Sequence, residues 1–235
     1  MSIVVDSSWD DSDDEDLLEY VKNQNEIPSK IISEDEILKE DPKQIRVLFA
    51  NTKTVQQLIP QYTVPETYPT ELNHLYRRNL RKMKFSDAIN SPSLPFFIKP
   101  AKNDKQFQGM SIQNEYDVTY LKTFEADEVY VCDFVKFVCE FRLFIGDNMV
   151  HGMVESTDFI LDAPAGVHTP PSDFIDEVLK ANPYFFCVID VGLTEDNVWM
   201  VVEVNPPFAL SSYNWPIENY YNYCSASWNS IVNNL

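Results

Sequence analysis

FFCVIDVGLTEDNVWMVVEVNP, Phe185 to Pro206, reads as two apolar strands joined by the turn Thr194-Glu195-Asp196-Asn197. Three polar side chains interrupt the apolar runs: Asp190 in the first strand, Glu203 and Asn205 in the second. Alternation along a strand places Glu203 and Asn205 on one face, and Asp190 reaches that face from across the hairpin. Two carboxylates and a neutral amide oxygen form a hard-oxygen set suited to Mg²⁺ carried by a nucleotide. A hairpin strand can also turn a polar face to solvent, and this stretch alone leaves both readings open.

Far upstream, PFFIKPAKNDKQFQGM, Pro95 to Met110, gathers Lys99, Lys102 and Lys105 in a 235-residue chain of formal net charge -19. Lys99 ends an apolar strand that can hold its ammonium and point it into a cleft, while Lys105 and Gly109 follow on a loop. Residues 1–41 hold fourteen acids and three bases, and residues 143–235 hold twelve acids and the single base Lys180. Residues 71–105 instead carry eight bases against three acids. A polyanion suits that middle segment and a cation suits the later acids; for any single lysine, plain exposure to solvent is the simpler reading.

The rest of the chain supplies a frame. Ser2–Val5 predicts a strand, DDSDDEDLLEYVKNQ a helix with carboxylates in its first turn, IPSKIISEDEILKE a second strand and helix, and IRVLFA a third strand. The first sixty residues therefore read as α/β, and Pro60, Pro65 and Pro69 mark a connection into the next unit. Leu72, Leu75, Tyr76, Leu80 and Met83 fall at helical spacing, which predicts a helix capped by Thr70 with Arg77, Arg78 and Arg81 on a basic face. VYVCDFVKFVCEFRLFIGDNMVHGMVES predicts antiparallel strands turning at Gly146-Asp147-Asn148. TPPSDFIDEVLKANP predicts a helix, and Ile217, Tyr220, Tyr221, Cys224, Trp228 and Ile231 predict the packed face of a last one. Cys132, Cys139, Cys187 and Cys224 lack any CxxC pairing and read as buried hydrophobes, the usage of a reducing compartment. The start has no basic n-region, and no apolar run approaches the roughly 18 to 20 residues that span a bilayer, so the expectation is a soluble, cytoplasmic protein. No GxxxxGK or GxGxxG is present, and His74, His151 and His168 show no ligand spacing.

FIKP, then Lys105-x-Phe107-x-Gly109, then CEFR at Cys139–Arg142, then IDVG and VEVNPP follow one another in an order, spacing and strand context that resemble the ATP-grasp superfamily, specifically its R-two-K clade. The resemblance implies an α+β ATP-grasp domain over residues 69–235, two lobes enclosing the nucleotide, preceded by a small α/β unit at 1–68. It implies that Lys99 and Lys105 contact nucleotide phosphates and that Gly109 lets the loop backbone approach them. Cys132, Asp133, Phe134 and Val135 match the hinge that takes adenine, Glu140 the acid that takes the ribose hydroxyls, and Arg142 the arginine directed at transferred phosphate or a developing oxyanion. Asp190, Glu203 and Asn205 match the ligands of one or two Mg²⁺ ions. The single glycine in the phosphate loop, and the cysteine and aspartate in the hinge, depart from the common pattern and point to modest affinity.

The implied reaction joins a carboxylate to an amine through an acyl phosphate, with ATP and Mg²⁺ as cofactors. A small amino acid, an amine or a protein terminus fits as acceptor, whereas nucleic acid would be repelled by most of so acidic a surface. Two other readings stand beside it: a nucleotide-binding assembly factor similar to the cell-division-cycle family, and a small-molecule kinase. The acid, the acceptor and the oligomeric state are not written in the sequence.

Overall fold

Apolar runs bounded by turn residues become strands of three sheets in a computed structural model, which describes residues 1–8, 19–21, 23, 27–90, 93–102, 106–156, 169–208 and 210–234. The acidic helix expected over residues 10–24 falls largely outside the described residues, and Lys105 and His168 fall outside them entirely.

The first sheet is parallel, in the order β2-β1-β3, built from β1 (Ser2–Asp6), β2 (Ser29–Ile32) and β3 (Ile45–Phe49). Every residue of β1 is buried, as a central parallel strand covered on both faces requires. Short helices α1 (Glu34–Ile37) and α2 (Thr52–Leu58) follow β2 and β3; the Asn51 side chain caps α2 by accepting from the Thr54 N–H at 2.9 Å.

The second sheet is antiparallel, in the order β4-β7-β5-β6: β4 (Leu80–Lys84), β5 (Phe96–Pro100), β6 (Met110–Ile112) and β7 (Glu128–Asp133). With helices α4 (Phe85–Asn90) and α5 (Glu115–Leu121) it encloses a core of Phe96, Ile98, Ile112, Val118, Leu121, Val129 and Val131. The helix expected from Thr70 past Met83 is shorter. A 3-10 turn leads into α3 (Asn73–Tyr76), Arg77 turns left-handed at φ 49°, and Leu80–Lys84 pairs with β7 as a strand. A positive φ at a residue with a side chain ends an α-helix, and ladder bonds to β7 take over the backbone groups that a longer helix would have used internally. The three arginines therefore do not share a helical face.

The third sheet is also antiparallel, in the order β11-β10-β8-β9, and holds the longest strands: β8 (Phe137–Gly146), β9 (Met149–Glu155), β10 (Phe186–Thr194) and β11 (Trp199–Asn205). Asp147 and Asn148 both have positive φ in the β8–β9 turn, the geometry a tight two-residue hairpin needs. One face packs on α6 (Ser172–Ala181) through Phe174 and Val178, together with Leu72 and Leu75. At one end of the other face, Phe144 and Val188 meet Ile3, Val5, Phe49, Trp215, Tyr220 and Tyr223. The closing helix α7 (Ile217–Asn233) covers β3, and Trp228 Nε1 donates to the Ile45 carbonyl at 3.0 Å. Residues before and after position 68 thus share two apolar clusters.

Candidate functional site

Residues Phe134–Lys136 connect β7 of the second sheet to β8 of the third, and the two sheets face each other across a cleft of about 610 Å³. Phe97, Lys99, Gly109, Phe134, Val135, Glu140 and Glu203 lie in its walls. Strand parity explains the small-lobe wall: Phe96, Ile98 and Pro100 enter the core, which leaves Phe97 and Lys99 on the cleft face.

On the opposite wall, register places charges side by side. Arg142 pairs with Asp190 and Asp190 with Glu203 across three adjacent strands, and Glu140 stands two residues from Arg142 on the same face. Arg142 donates from Nε to Asp190 Oδ1 and from Nη2 to Oδ2, both at 2.9 Å, and from Nη1 to the Ser211 carbonyl at 3.2 Å. The Tyr213 ring covers its guanidinium at 4.5 Å. Burial would lower the Arg142 pKa, and the Asp190 carboxylate more than offsets it, so the guanidinium is held firmly charged. Asn205 Nδ2 donates to Asp190 Oδ2 at 3.1 Å and to Glu203 Oε1 at 3.3 Å. Lys99 Nζ crosses the cleft to Glu203 Oε2. Burial pushes the Glu203 carboxyl up, but the Lys99 contact, with the Asn205 amide, brings it below its ordinary value. Glu140 is pushed up to about 7, first by burial and then by the charges of Asp190 and Glu203, which outweigh the opposing pull of Arg78 and Arg142.

Two carboxylates and an amide are the donor types that a small hard cation takes, although both Asp190 oxygens are held by the Arg142 fork and one would have to be released to a cation. Asp190, Glu203 and Asn205 converge closely enough for one amide to touch both carboxylates, and turning that amide would present its oxygen instead. Among the described residues no group of three or more His, Cys, Asp and Glu gathers as a metal cluster; this set is two carboxylates and an amide.

Cys132 and Asp133 are not among the residues that line the cleft. Cys132 is buried in β7 between Leu80 and Phe97, and burial raises its thiol pKa. The Asp133 carboxylate accepts from the Asn79 backbone N–H at 3.1 Å and from its side chain at 2.8 Å. Gly109 has no left-handed φ; its need is space, since a Cβ there would lie 2.7 Å from Phe97 Cζ. Lys102, given no role by the sequence, pairs with exposed Asp127 at 2.9 Å. Sequence reasoning missed Phe97 and Tyr68 in the cleft walls; for Phe97 the signal was its two-residue spacing from Lys99.

The family model for the ATP-grasp domain, R-two-K clade family 2, matches residues 75–223, more than half of the chain. The chain belongs to this family. Solved structures agree on the ATP-grasp fold. A RimK domain ATP-grasp protein from Sphaerobacter thermophilus is 12% identical with TM-score 0.60, over 96% of this chain and 98% of its own. D-alanine–D-alanine ligase from Bacillus anthracis is 15% identical with TM-score 0.60, over 100% and 99%. N5-carboxyaminoimidazole synthetase from Staphylococcus aureus, solved with ADP, is 14% identical with TM-score 0.55, over 96% of this chain and 70% of its own. A search of curated proteins found no match. No helix among the described residues of this ATP-grasp protein is long and apolar enough to cross a membrane.

Proposed function

We propose that this ATP-grasp protein is an ATP-dependent, ADP-forming ligase that joins a carboxylate to an amine through an acyl phosphate. The carrying observation is the contact of Lys99, from one lobe, with Glu203, from the other, across the cleft floor, with Asp190 and Asn205 beside Glu203. Support comes from the family and from neighbours of the same fold that are named as ligases.

In this reading the hinge at Phe134 and Val135 takes adenine through its backbone, and Glu140 takes the ribose hydroxyls. Lys99 exchanges Glu203 for a phosphate oxygen, and Lys105 and Gly109 belong to the loop over the phosphates. Asp190, Glu203 and Asn205 would hold Mg²⁺, which would supply neutralisation of the phosphate charge. Phosphoryl transfer breaks the bond between the β,γ-bridging oxygen and γ-phosphorus and forms one from a carboxylate oxygen of the acid to that phosphorus. The amine then attacks the acyl carbon, its proton leaves to solvent, and inorganic phosphate departs. Arg142, fixed by Asp190 and Ser211, stabilises the tetrahedral oxyanion, and no side-chain nucleophile is required. The acceptor is a small amino acid, an amine or a protein terminus, not nucleic acid. Four buried cysteines outside any disulfide suit a cytoplasmic setting.

The test is incubation with Mg-ATP and pooled carboxylates and amines, following ADP, AMP and mass shifts. ADP formation that requires both an acid and an amine is expected. A stable phosphorylated product would mark a kinase instead, and tight ATP binding without turnover, with a protein partner, an assembly factor.

A further inference from the structure

Strand β11 is one residue out of step with β10. Val201 pairs with Val191 and Glu203 with Asp190, so Val202 is an extra residue without a partner in β10. Val201 and Val204 both enter the apolar core beneath the sheet. In an unbroken strand residues three apart face opposite sides, so the bulge is what turns Glu203 and Asn205 toward the cleft while Val201 stays in the core.

The segment before β4 grips this bulge from both sides of Glu203. Arg78 Nη2 donates to the Val202 carbonyl at 2.5 Å, and the Thr67 carbonyl accepts from the Val204 N–H at 2.9 Å. The left-handed turn at Arg77 precedes Arg78, whose guanidinium lies 5.9 Å over the Tyr68 ring. Arg78 Nε is buried without a hydrogen-bond partner among the described residues, and the side chain shares the cleft wall with Lys99, Glu140 and Glu203.

We propose that Arg78 is a positioning residue: by holding the carbonyl of the bulged Val202 it fixes the direction in which Glu203 presents its carboxylate to the Mg²⁺ of bound nucleotide. This rests on the nucleotide reading above. A cation that only adds charge to the cleft strengthens ATP binding with and without Mg²⁺ alike. A residue that aims Glu203 changes the ratio of the two affinities.

The experiment titrates the full chain with ATP, in EDTA and in Mg²⁺, for the wild type, Arg78→Ala, Arg78→Lys, Glu203→Gln and the Arg78→Ala/Glu203→Gln pair. Arg78→Ala is expected to lose about tenfold of the Mg²⁺-dependent gain. Arg78→Lys recovers part of it, because an ammonium still donates to a carbonyl, and the double variant is no worse than Glu203→Gln, as for two residues acting through one carboxylate. An unchanged Mg²⁺ ratio in Arg78→Ala, or effects that simply add, overturns the proposal. Amide exchange of the nucleotide-free protein gives a second readout: the peptide over 199–208 exchanges faster in Arg78→Ala while the peptide over 128–133 does not, and equal exchange over 199–208 overturns the clamp. A wild type that binds no ATP in either condition removes the nucleotide reading and Arg78's role with it. Wild-type binding with an unchanged Arg78→Ala ratio removes Arg78's role alone.

Discussion

Glu140 and Glu203 are both glutamates on the same sheet face, and their surroundings drive them apart. Glu203 has Lys99 against it and is kept charged, whereas Glu140 faces Asp190 and Glu203 from a half-buried position and is pushed up to about 7. A carboxyl whose folded pKa lies above its unfolded value of 4.5 contributes stability that is fully present below 4.5 and lost as pH rises through about 7. The upper bound on that contribution is about 3 kcal/mol. Glu140→Gln should abolish it, so in the nucleotide-free protein the melting temperature of the wild type relative to the glutamine variant falls between pH 5 and pH 8, to be read by calorimetry across roughly that range. A difference that stays flat with pH would mean that Glu140 is solvated.

At the scale of elements, the site depends on how β5 and the loop after it lie together. Gly109 leaves room for the Phe97 ring, which lies beside Lys99 on the cleft face of β5. Gly109→Ala would force that ring or the loop aside at a cost of about 1–3 kcal/mol. Where the ring moves into the cleft, nucleotide affinity drops by about tenfold, measurable by calorimetric titration with Mg-ATP. Unchanged affinity would place the strain outside the cleft. Much of this arrangement is legible in the sequence, because the period-2 alternation of FFIKP and the turn residues at Asp147-Asn148 and Thr194–Asn197 speak for strands directly. The segment over Thr70–Lys84 is not legible in that way. Its apolar spacing satisfies a helix, and what makes Leu80–Lys84 a strand is β7, almost fifty residues later. The bulge at Val202 is hidden for a related reason, since only the fit of Val201 and Val204 into a core built from distant residues requires it.

Across the whole molecule, the Lys99–Glu203 contact joins two sheets whose strands are far apart in sequence, and local pattern carries no information about that meeting. The motif order over FIKP, CEFR, IDVG and VEVNPP pointed to it, because each motif implies a partner in the others. The basic segment and the acidic remainder also find a joint explanation. In the proposed function, a chain of formal net charge -19 that takes up ATP would offset its own field locally, through Lys99 and a divalent cation at Asp190, Glu203 and Asn205. Calorimetric titration of the wild type and of Lys99→Ala with ATP in Mg²⁺ tests this most directly. The account predicts one nucleotide per chain for the wild type and an affinity weaker by about tenfold or more for Lys99→Ala. A wild type that takes up no Mg-ATP, or a Lys99→Ala variant that binds it equally well, would contradict it.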